Sequence, residues 1–179
     1  NIIKYSTESD YNINRLSKLL DNLKIKHNIE ITGKNFIITF KKSSIENIVI
    51  IENKKIFMDH KILEQKNENY LRAIIRGVFL GSGSINNPEK KYHLEIDFEN
   101  EKNMNYVIEI LRKLGINPKQ MLIENKKSIY IKEGEEISKF LAVLEANKAV
   151  MKFEDIRVQK EMRGKVNRLV NCKTANLNK

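Results

Sequence analysis

The chain has 179 residues, 41% of them apolar and 31% charged, and a formal net charge of +10 at pH 7. That apolar share excludes a disordered polymer, and the length suits one large domain or two small ones. No run of about 18 apolar residues is present to form a membrane span, and a single cysteine, Cys172, excludes an internal disulfide framework and fits a reducing cytosol.

The N-terminal residues Asn1-Ile2-Ile3-Lys4-Tyr5 lack the apolar core and cleavage site of a signal peptide. Ile3, Tyr5 and Thr7 alternate as in a strand, and Ile13, Leu16, Leu19, Leu20, Leu23 and Ile25 have helical spacing. Phe36-Ile37-Ile38 reads as a further strand, and Glu52 to Asn69 is polar and charged enough to be a linker. A helix is expected over about 69–82, with small residues at Ala73, Gly77 and Gly81, one every four positions. Gly inside a helix costs about 1 kcal/mol relative to Ala. Two of them point either to close approach of a second helix along the stripe, or to a C-terminal cap preceded by one tolerated Gly.

A short strand, a strand at about 91–98, a helix at 102–114, strands at 119–124 and 128–132 and a helix at 135–146 follow. Asn87-Pro88 turns the first hairpin and Glu124-Asn125-Lys126-Lys127 the second. These elements echo the first part of the chain. Shifted by 91 positions, Ile3, Tyr5 and Thr7 fall on Leu94, Ile96 and Phe98, and the helical set from Ile13 to Ile25 falls on Met104, Val107, Ile110, Leu111, Leu114 and Ile116. Phe36-Ile37-Ile38 matches Ile129-Tyr130-Ile131, and Ser44-Ile45 matches Glu136-Ile137 at the start of the last helix. An internal repeat explains this, and the first copy then lacks its opening helix and first strand. The expected organisation is a first half over 1–51, a linker over 52–69, a second half over 70–146 and a basic helical segment over 147–179.

Ile75-Arg76-Gly77-Val78-Phe79-Leu80-Gly81-Ser82-Gly83, with both glycines in place, resembles the signature nonapeptide of the LAGLIDADG homing-endonuclease fold. More closely, three segments resemble the WhiA family of bacterial regulators. They are Arg76-Gly77-Val78-Phe79-Leu80-Gly81-Ser82-Gly83-Ser84 running on to Ile96, Tyr130-Ile131-Lys132-Glu133-Gly134-Glu135, and Val166-Asn167-Arg168-Leu169-Val170-Asn171-Cys172 running on to Lys179. The likeness is strong from residue 70 onward and loose before it. It implies an α+β fold of two pseudo-symmetric αββαββα units, the first truncated at its N-terminus. In that family a C-terminal helix-turn-helix domain follows, and this chain stops before it.

The parent fold cleaves DNA with an acid at the C-terminal end of each signature helix, holding a divalent metal between the two. Phosphodiester hydrolysis needs that metal to stabilise charge and activate water. The resemblance puts Ser82 at the position of the lost catalytic acid, and Leu80 at the other acidic position of the signature. A neutral hydroxyl does not replace a carboxylate on a hard cation, so no catalytic residue, no metal site and no cofactor is expected. Glu95 and Asp97 read as one solvated strand face. His27, His60 and His93 lie apart, without metal-ligand spacing, and read as surface or hairpin residues. Gly81-Ser82-Gly83-Ser84 follows a helix instead of preceding one, the wrong end for a phosphate cradle.

In the parent fold the concave sheet face sits on the duplex. With Leu94, Ile96 and Phe98 turned to the helices, the open face is expected to hold His93, Glu95 and Asp97, then Gln120, Leu122 and Glu124, then Ser128, Tyr130 and Lys132. In the first copy it holds Lys4, Ser6 and Glu8. That mixed surface has no basic stripe.

The segment from Asn147 to Lys179 is more basic, with nine Lys/Arg against three Asp/Glu. On a helical wheel Arg157, Lys160, Lys165 and Arg168 share one side and Val158, Met162, Val166 and Leu169 the other, which predicts apolar packing on the domain and cations offered to phosphate. Arg163 and Lys173 extend the phosphate-contacting set. A solvated or linking helix fits the same pattern.

Three readings follow. The first is a non-enzymatic, DNA-associated transcription regulator of this family, acting in sporulation or cell division, cytoplasmic and nucleoid-associated. Double-stranded DNA is its partner, chiefly through the further domain, and no membrane is involved. The second is a sensor module with a protein or small ligand on the sheet face, and the third an active endonuclease, disfavoured by Ser82. Self-association through the stripe of Ala73, Gly77 and Gly81 is a further expectation.

Overall fold

Alternating apolar residues and a well-capped amphipathic helix build the same unit twice. A computed structural model describes residues 2–45, 49–52, 55–58, 61, 64, 67–124 and 126–177, which divide into two units, Asn1–Ile62 and Leu63–Lys179. In the first, β1 (Ile2–Thr7), β2 (His27–Thr32) and β3 (Asn35–Lys41) form an antiparallel sheet in the order β1-β3-β2. The helix α1 (Asp10–Asn22) starts at Ser9, whose side chain accepts the Asn12 backbone N–H at 3.2 Å. Its Ile13 and Leu20 bury against Ile38, with Tyr5, Leu16, Ile25, Phe36 and Phe40 around them.

The first unit departs from expectation after β3. Lys42–Ser44 is a 3-10 turn, so the match of Ser44-Ile45 to a helix start does not become a helix. Next comes an antiparallel hairpin, β4 (Val49–Glu52) paired with β5 (Lys55–Met58), part of it inside the segment read as linker. The physical signal was present: Val49-Ile50-Ile51 and Ile56-Phe57-Met58 are β-branched and apolar runs on either side of a short polar break.

The second unit holds α2 (Glu68–Ser82), β6 (Gly83–Ile85), β7 (Leu94–Phe98), α3 (Glu101–Lys113), β8 (Lys119–Ile123), β9 (Lys126–Ile131), α4 (Gly134–Val143) and α5 (Asn147–Leu177). Its sheet runs β6-β7-β9-β8. The repeat is visible element by element. Both α1 and α3 have 13 residues, and Ser9 and Asn100 each accept the N–H three residues on. The order β7-β9-β8 repeats β1-β3-β2. Among the described residues the first unit has no counterpart of α2 and β6.

The second core is the larger. Leu94, Ile96, Ile129 and Ile131 present one sheet face to Met104, Val107, Ile110 and Leu111 of α3, with Ile75 of α2 and Ile137 and Phe140 of α4 also buried. Phe79 packs edge-on to Phe140, ring centroids 5.4 Å apart. The register corrects one expectation about the open face. Gln120 pairs with Ile129 and Leu122 with Lys127, so they share the helix-facing side. Lys119, Met121 and Ile123 take the open side, level with Tyr130, Ser128 and Lys126. A strand's period of two means a one-residue error in phase exchanges its faces.

Candidate nucleic-acid interface

Three places carry the residues singled out by sequence: the end of α2, the open sheet face and α5. At the first, α2 begins at Asn67, whose side chain caps the N–H groups of Asn69 and Tyr70. It ends at Ser82, and Gly83 enters β6 directly, its N–H donating to the Phe79 carbonyl. A Cβ on Gly83 would lie 2.2 Å from Phe79 Cδ2 and 2.6 Å from Phe79 O, so the helix-to-strand step requires glycine. Close approach therefore acts at Gly83 within this unit. At Gly77 and Gly81 a Cβ would meet nothing within 4 Å. Ala73, Gly77 and Gly81 are exposed, with Tyr70 and Leu80 exposed beside them, so the stripe stands open. Arg76, inside the signature, pairs with Glu145 beyond α4. Ser82 is exposed, and no carboxylate is supplied by its own position or by Leu80.

On the sheet face sequence reasoning missed a polar cluster. Glu95 is only 16% exposed. It accepts from Lys126 Nζ at 2.7 Å and Ser128 Oγ at 2.8 Å, and lies 3.2 Å from His93 Nε2. The Lys126 ammonium, helped by Ser128 and His93 and opposed by burial, holds the Glu95 carboxyl down at about 2. Glu95 is thus a structural anion and not part of a solvated strand face, whereas Asp97 is exposed. Ser128, which is fully buried, and Lys126 lie on β9 on the same sheet face as Glu95 across the register. His93 stacks on Tyr130, over whose ring Lys132 Nζ sits 4.7 Å from the centroid, and its Nδ1 is buried without a hydrogen-bond partner among the described residues. His27 bridges Ser17 Oγ and the Ile25 carbonyl, and His60 lies outside the described residues. Lys119 pairs with Glu133 at 2.8 Å. Among the described residues of this face Lys119 and Lys126 are matched by acids, Lys132 lies over Tyr130, and no basic stripe crosses it.

α5 corrects the wheel. Its contact with the domain runs along Phe153, Ile156, Arg157, Lys160 and Gly164, of which Phe153 is 3% exposed. Phe153 packs against Tyr92 with centroids 5.5 Å apart. Lys160 donates to the Pro88 carbonyl at 2.7 Å and lies over the Tyr92 ring at 4.6 Å, and Arg157 pairs with Glu154 at 2.7 Å. One of the expected phosphate contacts, Lys160, thus fastens the helix to the β6–β7 hairpin, while Arg157 is paired within the helix. The apolar set Val158, Met162, Val166 and Leu169 faces water instead of the domain. One buried aromatic and the cation–π and carbonyl contacts of a long lysine set the rotation, which a wheel of apolar residues alone does not read. Of the other expected contacts, Arg163 and Lys173 are exposed, Lys165 pairs with Glu161 at 2.8 Å, and Arg168 Nε donates to the Gly164 carbonyl at 3.2 Å. No helix among the described residues is long and apolar enough to cross a membrane.

With that geometry, the likenesses to known proteins fall into one pattern. Residues 71–163 match the family model described as the WhiA LAGLIDADG-like domain. A "probable cell division protein WhiA" of Clostridium tetani is 38% identical over 98% of this chain and 61% of its own length. The counterpart of Clostridium botulinum is 47% identical over 60% of this chain and 34% of its own length. The chain thus spans less than two thirds of the length of these relatives. Among solved structures, full-length DUF199/WhiA from Thermatoga maritima superposes with a TM-score of 0.71 at 26% identity, covering 98% of this chain and 58% of that one. The homing endonuclease I-DmoI, solved in complex with DNA and Mn, superposes with a TM-score of 0.58 at 18% identity over 80% of each chain, a likeness of fold alone.

Proposed function

Because the chain belongs to the WhiA family and carries its LAGLIDADG-like domain, we propose that it is the endonuclease-like scaffold of a non-enzymatic, DNA-associated regulator. The carrying observation is the exposed end of α2, where Ser82 and Leu80 stand in place of the acids that the parent fold uses to hold a metal. Without a carboxylate there, nothing at that helix end orders a hard cation against a phosphodiester. The scaffold keeps its shape and lacks its chemistry.

DNA association in this reading rests on the exposed cations of distal α5, Arg163, Lys165, Arg168 and Lys173, which neutralise phosphate without reading sequence. Lys160 holds the helix on the domain, and Arg157 is half-buried and paired with Glu154. Sequence reading belongs to a further domain of the helix-turn-helix kind, and the cellular role is transcriptional control in sporulation or cell division at the nucleoid. The test incubates the chain with supercoiled plasmid and Mg²⁺ or Mn²⁺. Retarded mobility without nicking is expected. Metal-dependent nicking, abolished by denaturing the protein, contradicts the proposal.

A further inference from the structure

α5 carries a second, largely apolar surface, which shares only Lys165 and Arg168 with the DNA reading. Met151, Val158, Met162, Val166 and Leu169 are between 54% and 66% exposed, on the side opposite Phe153, Lys160 and Gly164. From Lys165 to Ala175 every side chain is exposed, so this part of the helix stands clear of its own domain. Along the outer side Met151, Asp155, Val158, Met162, Lys165 and Leu169 recur at alternating spacings of four and three, the seam of a two-stranded coiled coil.

The seam is self-complementary in reverse. Centred level with Lys160, Met151 falls opposite Leu169, Val158 opposite Met162, and Asp155 opposite Lys165. We propose that α5 docks antiparallel on α5 of a second copy of this chain, about a two-fold axis level with Lys160. Each Asp155 then meets the partner's Lys165, and Glu154 on the flank lies near the partner's Arg168. A parallel pair would instead set Asp155 against Asp155 and Lys165 against Lys165, so the charges choose the direction. Among the described residues Lys165 pairs with Glu161, in an i,i+4 contact with both side chains 65% exposed, weak enough to exchange. Glu161 meets its own copy near the axis, a like-charge contact that weakens the pair. Two charged positions among six make the dimer concentration-dependent.

Sedimentation equilibrium of the chain over a concentration series tests this. The weight-average mass is expected to rise from 21.0 kDa toward twice that value. Asp155→Lys or Lys165→Asp is expected to raise the dissociation constant about tenfold, and the double exchange to restore it, with the melting temperature unchanged at concentrations where the chain is monomeric because both sites are exposed. Mixing Val158→Cys with Met162→Cys chains, both carrying Cys172→Ser, should give the mixed disulfide on mild oxidation. A chain monomeric throughout overturns the proposal. So does a dimer indifferent to both charge variants, which would point to the open stripe on α2, or a predominance of like-with-like disulfides. Asp155→Lys adds a cation, so loss of the dimer is distinguishable from loss of DNA affinity.

Discussion

At the scale of single residues, the glycines of α2 separate by what a methyl group would meet. Gly83→Ala drives a Cβ into Phe79, including its carbonyl oxygen, and should destabilise the second unit by about 2 kcal/mol. Gly77→Ala and Gly81→Ala meet open space in a helix and should stabilise this chain by up to about 1 kcal/mol each. Thermal melts of the three variants check the contrast; equal effects would mean that the stripe is covered. Glu95 supplies a pH signature. Its carboxyl sits at about 2, against 4.5 in the absence of its partners. Between those values the unfolded chain binds the proton and the folded one does not, so stability rises with pH. The contribution of Glu95 is complete above pH 4.5 and is lost as pH falls toward 2. Glu95→Gln should cost about 1 kcal/mol near neutrality and flatten the melting-temperature profile across that window. A profile parallel to that of the unsubstituted chain would remove Glu95 from the account.

At the scale of elements, α5 is fastened beyond its packing on α4 chiefly through Phe153 and Lys160, so these should matter individually. Phe153→Ala should destabilise the second unit by about 3 kcal/mol and raise protease sensitivity near Lys152 and Arg157. Lys160→Ala should loosen the helix with a smaller loss of stability, through the Pro88 carbonyl and the Tyr92 ring. Limited proteolysis with mapped cleavage sites reads both, and an α5 as resistant as before would mean that other contacts hold it. The helices and strands of the second unit and α1 were legible because their periods are unambiguous, as the shift of 91 between α1 and α3 demonstrates, whereas the short β4–β5 hairpin was read in part as linker. The face of α5 was not, because its anchor is one Phe and a lysine stem instead of an apolar stripe. The phase of β8 was lost for a related reason: Lys119–Ile123 is mostly exposed on both faces, so no strict alternation fixes it. The Glu95 cluster draws on His93, Lys126 and Ser128 from two strands, and only the register brings them together.

At the scale of the molecule, two related units carry one family signature, and the sequence placed that signature because its glycines and flanking runs are specific. The lost acid at Ser82 was legible for the same reason, since a signature fixes each position by its neighbours. The distribution of charge was legible by segment, with the basic excess in 147–179, but not by partner. Its pairing, lysine by lysine, turned the sheet face into a balanced surface and left distal α5 as the cationic element. The claim that this cationic element associates with DNA is met most directly by fluorescence anisotropy of the chain on a labelled duplex across a salt series. Affinity that falls with salt with a slope equivalent to about three or four phosphates, reduced by Arg163→Glu combined with Arg168→Glu and Lys173→Glu, is the predicted result. Absence of binding at low salt, or binding indifferent to those substitutions, would contradict it.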